Sequence, residues 1–258
     1  MESTLIRISL FLALLFLSYQ NAYSTHVAGG YIQFECTGTP GEYIVRLVLY
    51  RDCSGSTLLN TAALTGTNDC GLGTQNITLN EVSVSEVSQL CQQQLNNSTC
   101  NGGSLPGYEE YIYEATVNLG ACDDWTFYYN LCCRNSSNNA SGQPYFHVET
   151  DFNTSVNNCT TTPTVTAQPE PFVCINQPVS YNLGAFEPDG HSLQYSLVTA
   201  LEDPNDPIPY NGGYSGGTPI PGINIDPNTG TVTFTPTNTG AYIIVIQIEE
   251  YDANGNLI

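Results

Sequence analysis

Residues 43–50 read YIVRLVLY, and short runs of the same kind recur along the chain, each bounded by a cluster of Gly, Pro, Asn, Asp or Ser. Successive side chains of a strand point to opposite faces, so apolar residues at every second position are what a half-buried strand needs. The runs fall at 31–34, 43–50, 77–84, 111–117, 125–131 and 145–148, and again at 179–183, 193–197, 223–225, 231–235 and 241–248. Helical spacing is confined to about 86–95 (EVSQLCQQQL), which predicts one short helix carrying Cys91. The pattern predicts an all-β protein built as two β-sandwich domains, the first of them rich in disulfides.

Residues 160–171 (TTTPTVTAQPEP) have no pattern of their own, and beyond them only Cys174 remains of the cysteines. This places a first domain at 25–162, a linker at 163–171 and a second domain at 172–258. Within the second, Asp226-Pro227-Asn228-Thr229-Gly230 is a tight-turn signal, with Pro fixing φ and Gly supplying the position at positive φ. Near its end Ile244, Ile246 and Ile248 alternate with Val245, Gln247 and Glu249. Residues 252–256 then read as a turn, with Leu257 and Ile258 the first residues of a returning strand. A strand so placed has a bare edge, so the pattern predicts an incomplete sandwich and further domains of the same chain beyond residue 258.

Arg7 precedes an apolar run over 8–17, followed by polar residues and by Ala22-Tyr23-Ser24, with small residues at the two positions a signal peptidase reads. This predicts a signal peptide at 1–24, cut after Ser24. The run is shorter than the roughly 20 residues that span a bilayer, so no membrane insertion is expected. All ten cysteines lie after it, and an even number in an exported chain argues for disulfides. Zinc is disfavoured because no CxxC pair occurs and the histidines are only His26, His147 and His191. Cys91 with Cys100 would close a short loop, and Cys159 with Cys174 would staple the linker. Cys132 and Cys133 are expected to take separate partners, because neighbouring residues of a strand face opposite ways. The pairing of Cys36, Cys53, Cys70 and Cys122 stays open.

The formal net charge of −20 arises from missing bases, since only 11% of residues are charged and there is no lysine. After residue 24 the cations are Arg46, Arg51 and Arg134. Such a surface repels phosphate backbones and anionic lipid, which excludes nucleic acid as a partner. Arg51 and Arg134 each stand close to a cysteine, and scarce guanidinium groups in this setting suggest buried pairing with carboxylates; a ligand carboxylate or sugar is the sharper alternative. Tyr111 and Tyr113 share a strand face, where cross-strand packing is the ordinary use of such a stripe. The Asn-X-Ser/Thr sites at Asn76, Asn96, Asn97, Asn135, Asn139, Asn153 and Asn158 follow from composition. No GxSxG, HExxH or phosphate loop occurs, and three scattered histidines make no catalytic triad, so no enzyme is expected.

Three pieces of the second unit, 186–197 (FEPDGHSLQYSL), 222–236 (GINIDPNTGTVTFTP) and 239–242 (TGAY), resemble the bacterial cadherin-like and Ig-like repeats of surface adhesins. In such repeats an acidic D-x-D-G-D loop commonly binds Ca²⁺ between modules. Here the loop reads Glu187-Pro188-Asp189-Gly190-His191, and the imidazole at its end departs from that pattern. Glu187, Asp189 and the late Asp252 would supply oxygens to Ca²⁺ if their loops met at one pole of the sandwich.

In the first unit, 25–32 (THVAGGYI), 49–53 (LYRDC) and 132–135 (CCRN) resemble the N-terminal region of large exported surface proteins of Bacteroidota, the gliding-motility-associated class. That class continues into Ig-like or cadherin-like modules and ends in a sorting domain for type IX secretion. The resemblance implies a secreted or surface-attached, adhesin-like protein without catalysis, acting on an extracellular protein or glycan surface. The alternative is a carbohydrate-binding or accessory module of a larger secreted hydrolase.

Overall fold

The computed structural model describes residues 26–155, 159–168 and 172–258. The signal peptide expected at 1–24 and the end of the 163–171 linker lie outside the described residues. The protein is all-β, as the alternating runs require.

The first unit is one antiparallel sheet of seven strands: β1 (Val27–Cys36), β2 (Glu42–Asp52), β3 (Thr61–Thr67), β4 (Gln75–Glu86), β5 (Tyr108–Asn118), β6 (Trp125–Leu131) and β7 (Phe146–Phe152), in the order β1-β2-β5-β4-β3-β6-β7. Two layers arise because β4 turns a corner. Its first half pairs with β3 (Ile77 with Leu64), its second half pairs with β5 (Val84 with Tyr111), and the register shifts between Glu81 and Ser83. A bulge at such a point bends the strand and lets it serve both layers. The fold brings the ends of the sheet order together: Phe34 of β1 has its ring 4.7 Å from that of Phe152 of β7 and 4.7 Å from that of Phe127 of β6. Tyr43, Val45, Leu47 and Leu49 of β2 alternate into this core opposite Leu64, Leu79 and Trp125.

β3 (TAALTGT) escaped the pattern reading because its inward residues are Ala62, Leu64 and Gly66, only one of them large. Gly66 is required there, since a Cβ would strike the ring of Phe127. The helix expected over 86–95 is absent: β4 runs on to Glu86, and two 3₁₀ turns follow at Gln92–Asn97 and Thr99–Asn101, with Cys91 just before the first. Ser98 and its neighbours tie these turns to 105–107, a more local solution than an α-helix.

The second unit consists of short strands: β9 (Val179–Tyr181), β10 (Ala185–Phe186), β11 (Ser192–Leu197), β12 (Leu201–Asp203), β13 (Asp206–Pro207), β14 (Asn224–Ile225), β15 (Val232–Phe234) and β16 (Ile246–Tyr251). β14, β15 and β9 form one small sheet, and β11 pairs with β16. Ile220, Ile223 and Val232 make its main apolar cluster. The turn at 252–256 forms as read, and the Ile258 N–H returns to the Glu250 carbonyl at 3.0 Å.

The Thr/Pro stretch has a structural role that its composition hid. Thr164–Val165 is a short strand, β8, paired with β10. Beside it, threonine hydroxyls line the free edge of β1: Thr162 Oγ1 accepts from Phe34 N at 2.8 Å, Thr161 Oγ1 from Cys36 N at 3.2 Å, and Thr164 Oγ1 from Gln33 Nε2 at 2.6 Å. Side chains thus supply partners that a neighbouring strand would otherwise offer.

The two units interlock through the loop after β6. Ala140 packs with Ala200 and Ile208 of the second unit, and Ser141 N donates to Pro209 O at 2.8 Å. Residues 241–245, expected as strand, lie outside the sheets: Ala241 and Ile243 bond to this loop, and Val245 O accepts from Val198 N at 3.1 Å. Asn138 N donates to Ala241 O at 2.7 Å, and the fully buried Asn139 bonds both main-chain groups of Ile243. Of the stretch 243–248, Ile243 is thus bonded by the first unit, and 246–248 pair with β11 along one edge, in a sheet of two strands.

Four disulfides form: Cys36–Cys159, Cys53–Cys100, Cys70–Cys122 and Cys132–Cys133. The expected pairs 91–100 and 159–174 are corrected. Cys100 faces the end of β2 because Cys53 N bonds Gly107 O, and Cys159 lies at the end of β1, where the linker begins its run along that strand. Cys132 and Cys133 pair with each other: β6 ends at Leu131, so the alternation that separates neighbouring side chains no longer applies to them.

Candidate functional site

The three arginines among the described residues are each held by partners within the fold. Arg46 bonds Glu114 with its Nη2 at 2.6 Å, and Arg51 pairs with Glu109 while its Nε and Nη2 donate to the Ser56 and Gly55 carbonyls at 2.7 Å. The expectation of carboxylate pairing holds for Arg51 and fails for Arg134. Arg134 donates to the carbonyls of Tyr145, His147 and Leu201 and lies 4.8 Å from the centre of the Phe146 ring. Burial lowers its pKa to about 10. A carbonyl cage and an aromatic face thus substitute for a counter-charge. Tyr111 and Tyr113 stack at 6.2 Å within the first core, so their stripe packs rather than presents.

The densest group of titratable side chains outside the disulfides lies at one pole of the second unit. Glu187, in the turn after β10, is buried and accepts from its own loop: Oε1 from Asp189 N at 2.8 Å and Oε2 from His191 N at 2.6 Å. Glycine at 190, with φ of 87°, lets the turn reverse under that carboxylate. β16 pairs with β11 so that Glu250 stands opposite Leu193, which brings its Oε1 2.5 Å from His191 Nδ1. Glu187 Oε1 is 4.0 Å from the same nitrogen. The hydrogen bond to Glu250 raises the pKa of His191 against the cost of burial, and the charges of Glu187 and Asp189 add to the rise. Burial raises the pKa of Glu250.

The three carboxylates proposed for Ca²⁺ do not converge. Glu187 belongs to the cluster, which is completed by His191 and Glu250. Asp189 turns away and accepts from Thr161 N at 2.8 Å. Asp252 closes its own turn, accepting from the N–H groups of Asn254 and Asn256 at 2.8 and 2.9 Å. The Asn256 side-chain amide, donating to Oδ2 at 2.9 Å, together with these backbone bonds holds its pKa down to about 2. Ca²⁺ needs six to eight oxygen donors, whereas this cluster offers two carboxylates already hydrogen-bonded and an imidazole between them. The residues do not fit the ion.

The cluster is able to hold a proton between β11 and β16 and to lock the 187–191 turn to the sheet. It contains no nucleophile: the Ser192 hydroxyl donates to Tyr251 O. An open cleft of about 560 Å³ between residues 178–180, 221–222 and 233–235 is lined by no titratable side chain. The sulfur-containing groups near Asp123, Asp124 and Glu109 are disulfides, Cys70–Cys122 and Cys53–Cys100, and supply no thiolate to a metal. Glu250 and Asn139 went unrecognised in the sequence. The first is 59 residues from His191, and only the β11–β16 register joins them. The second carried nothing but a glycosylation signal, which its burial closes.

No protein-family model, no curated protein and no solved structure matches the chain.

Proposed function

We propose that this chain is a non-catalytic protein of the cell exterior that acts through contact surfaces, in keeping with the adhesin-like class its sequence resembles. The observation that carries the reading is the disulfide set: bridges spanning 123, 52 and 47 residues tie the first unit together, as suits an oxidising compartment outside the cytosol. The ion pairs of Arg46 and Arg51 and the carbonyl cage of Arg134 leave carboxylates as the outward charges, which points away from nucleic acid and toward a protein or glycan partner. The pole at His191 acts as a structural lock in this reading, since no nucleophile stands beside it and its groups bond to one another. The test is protease shaving of intact cells of the native bacterium followed by peptide detection, together with the adhesion of a deletion strain. Release of peptides from intact cells and loss of attachment support the proposal. Peptides found only after lysis, or unchanged attachment, overturn its first or second half.

A further inference from the structure

We infer that Cys91 and Cys174 form a fifth disulfide, which fastens the start of the second unit to the first. The inference rests on the exterior location proposed above, because that supplies the oxidant. Eight of the ten cysteines are already joined in pairs, and Cys91 and Cys174 are the two exposed thiols left over. Their segments lie side by side. Phe172 N donates to Gln89 Oε1 at 3.3 Å, so each cysteine sits two residues beyond the same hydrogen bond. The Phe172 ring packs edge-on against Tyr108 at 5.5 Å, and Tyr108 O accepts from Val87 N at 2.8 Å. One tyrosine thus holds both the 87–91 segment and the 172–174 segment.

Two residues of extended chain reach at most about 7 Å, so each thiol lies within that reach of its own residue at the Gln89–Phe172 contact, and movement of the two exposed segments can bring the Cα atoms to the roughly 4.4–6.8 Å that a bridge requires. Phe172, Val173 and Ile175 around the second thiol are themselves exposed, and a bond at Cys174 would pin this apolar strip to the 3₁₀ turn that follows Cys91. In the reaction the Cys91 thiolate attacks an oxidising disulfide of the compartment, on a small molecule or a protein, giving a mixed disulfide and freeing one thiol of that oxidant. The Cys174 thiolate then displaces the second. Two protons leave the protein, and the electron pair resides on the reduced oxidant.

The experiment counts thiols in the full chain isolated from its native exterior, denatured without reductant in iodoacetamide, with chymotryptic peptides mapped by mass. The expected result is no alkylated cysteine and a peptide joining the segments of Cys91 and Cys174, while Cys91→Ser gains one alkyl group, at Cys174. Alkylation at both Cys91 and Cys174 with the other eight protected overturns the bridge alone. A link between two chains through either residue overturns it as well. Alkylation of all ten overturns the exterior location on which the bridge depends.

Discussion

The side-chain amide of Asn139 pairs with both main-chain groups of Ile243: Oδ1 accepts from the N–H at 2.9 Å, and Nδ2 donates to the carbonyl at 2.8 Å. Nδ2 also reaches Pro219 O at 3.2 Å. One buried amide from the first unit thereby takes the place of a neighbouring strand in the second. Replacing it strands backbone groups away from water, at about 1–3 kcal/mol for each group left unpaired. Asn139→Ala is expected to lower the unfolding free energy by about 3 kcal/mol, read by urea denaturation. Asn139→Asp should be worse, since it loses the donor and buries a charge.

His191 titrates with a consequence whose direction follows from its raised pKa. The folded state holds the proton more tightly than the unfolded chain, so this stabilisation is complete below about 6.5 and is lost as pH rises through the folded value. The raised pKa of Glu250 acts in the same sense, in a window that starts above its ordinary value of 4.5. His191→Gln keeps a hydrogen-bond donor for Glu250 but does not titrate. The melting temperature of the native protein should exceed that of the variant most below pH 6.5, with the gap narrowing toward pH 9. A gap independent of pH contradicts the assignment.

Because the carboxylates at the pole do not assemble an oxygen cage, the melting temperature is expected to be the same in EDTA and in millimolar CaCl₂. A ligand bound only by the folded state must raise it. An increase of several degrees would show that Glu187, Asp189 and Asp252 rearrange around the ion.

The Cys70–Cys122 bridge ties the turn after β3 to the loop before β6 and closes 52 residues. The double variant Cys70→Ser/Cys122→Ser should lose about 4 kcal/mol by the loop-closure relation, measured by urea denaturation under non-reducing conditions.

Arg134→Lys keeps the charge but not the planar fork that serves the carbonyls of Tyr145, just before β7, of His147 in β7 and of Leu201 in β12. A loss of about 2 kcal/mol is expected in thermal or urea unfolding. An unchanged stability would mean that the apolar stem on Phe146 carries the contact.

Strands with large inward residues were legible in the sequence, because Val, Leu, Tyr and Phe at every second position report burial directly; β2, β5 and β6 are of this kind. β3 was not, because packing against Phe127 demands small residues and so removes the signal. The linker misled for a related reason: threonines that bond to the edge of β1 look like threonines in water. At the pole the sequence supplied Glu187, but its partner Glu250 depends on a register between strands far apart in the chain. Disulfide pairing failed in the same way, as it reports which strand ends meet and not how far apart cysteines stand in sequence.

The placement of the arginines also bears on how the folded chain meets proteases. Enzymes of the trypsin type cut after a basic residue, and the chain has no lysine. Among the described residues, Arg46 and Arg51 lie in β2, which is paired on both sides by β1 and β5, and Arg134 is buried. Cleavage at these three residues must therefore wait for the fold to open. Digestive attack of that specificity is thereby coupled to unfolding itself, so resistance to it should track conformational stability.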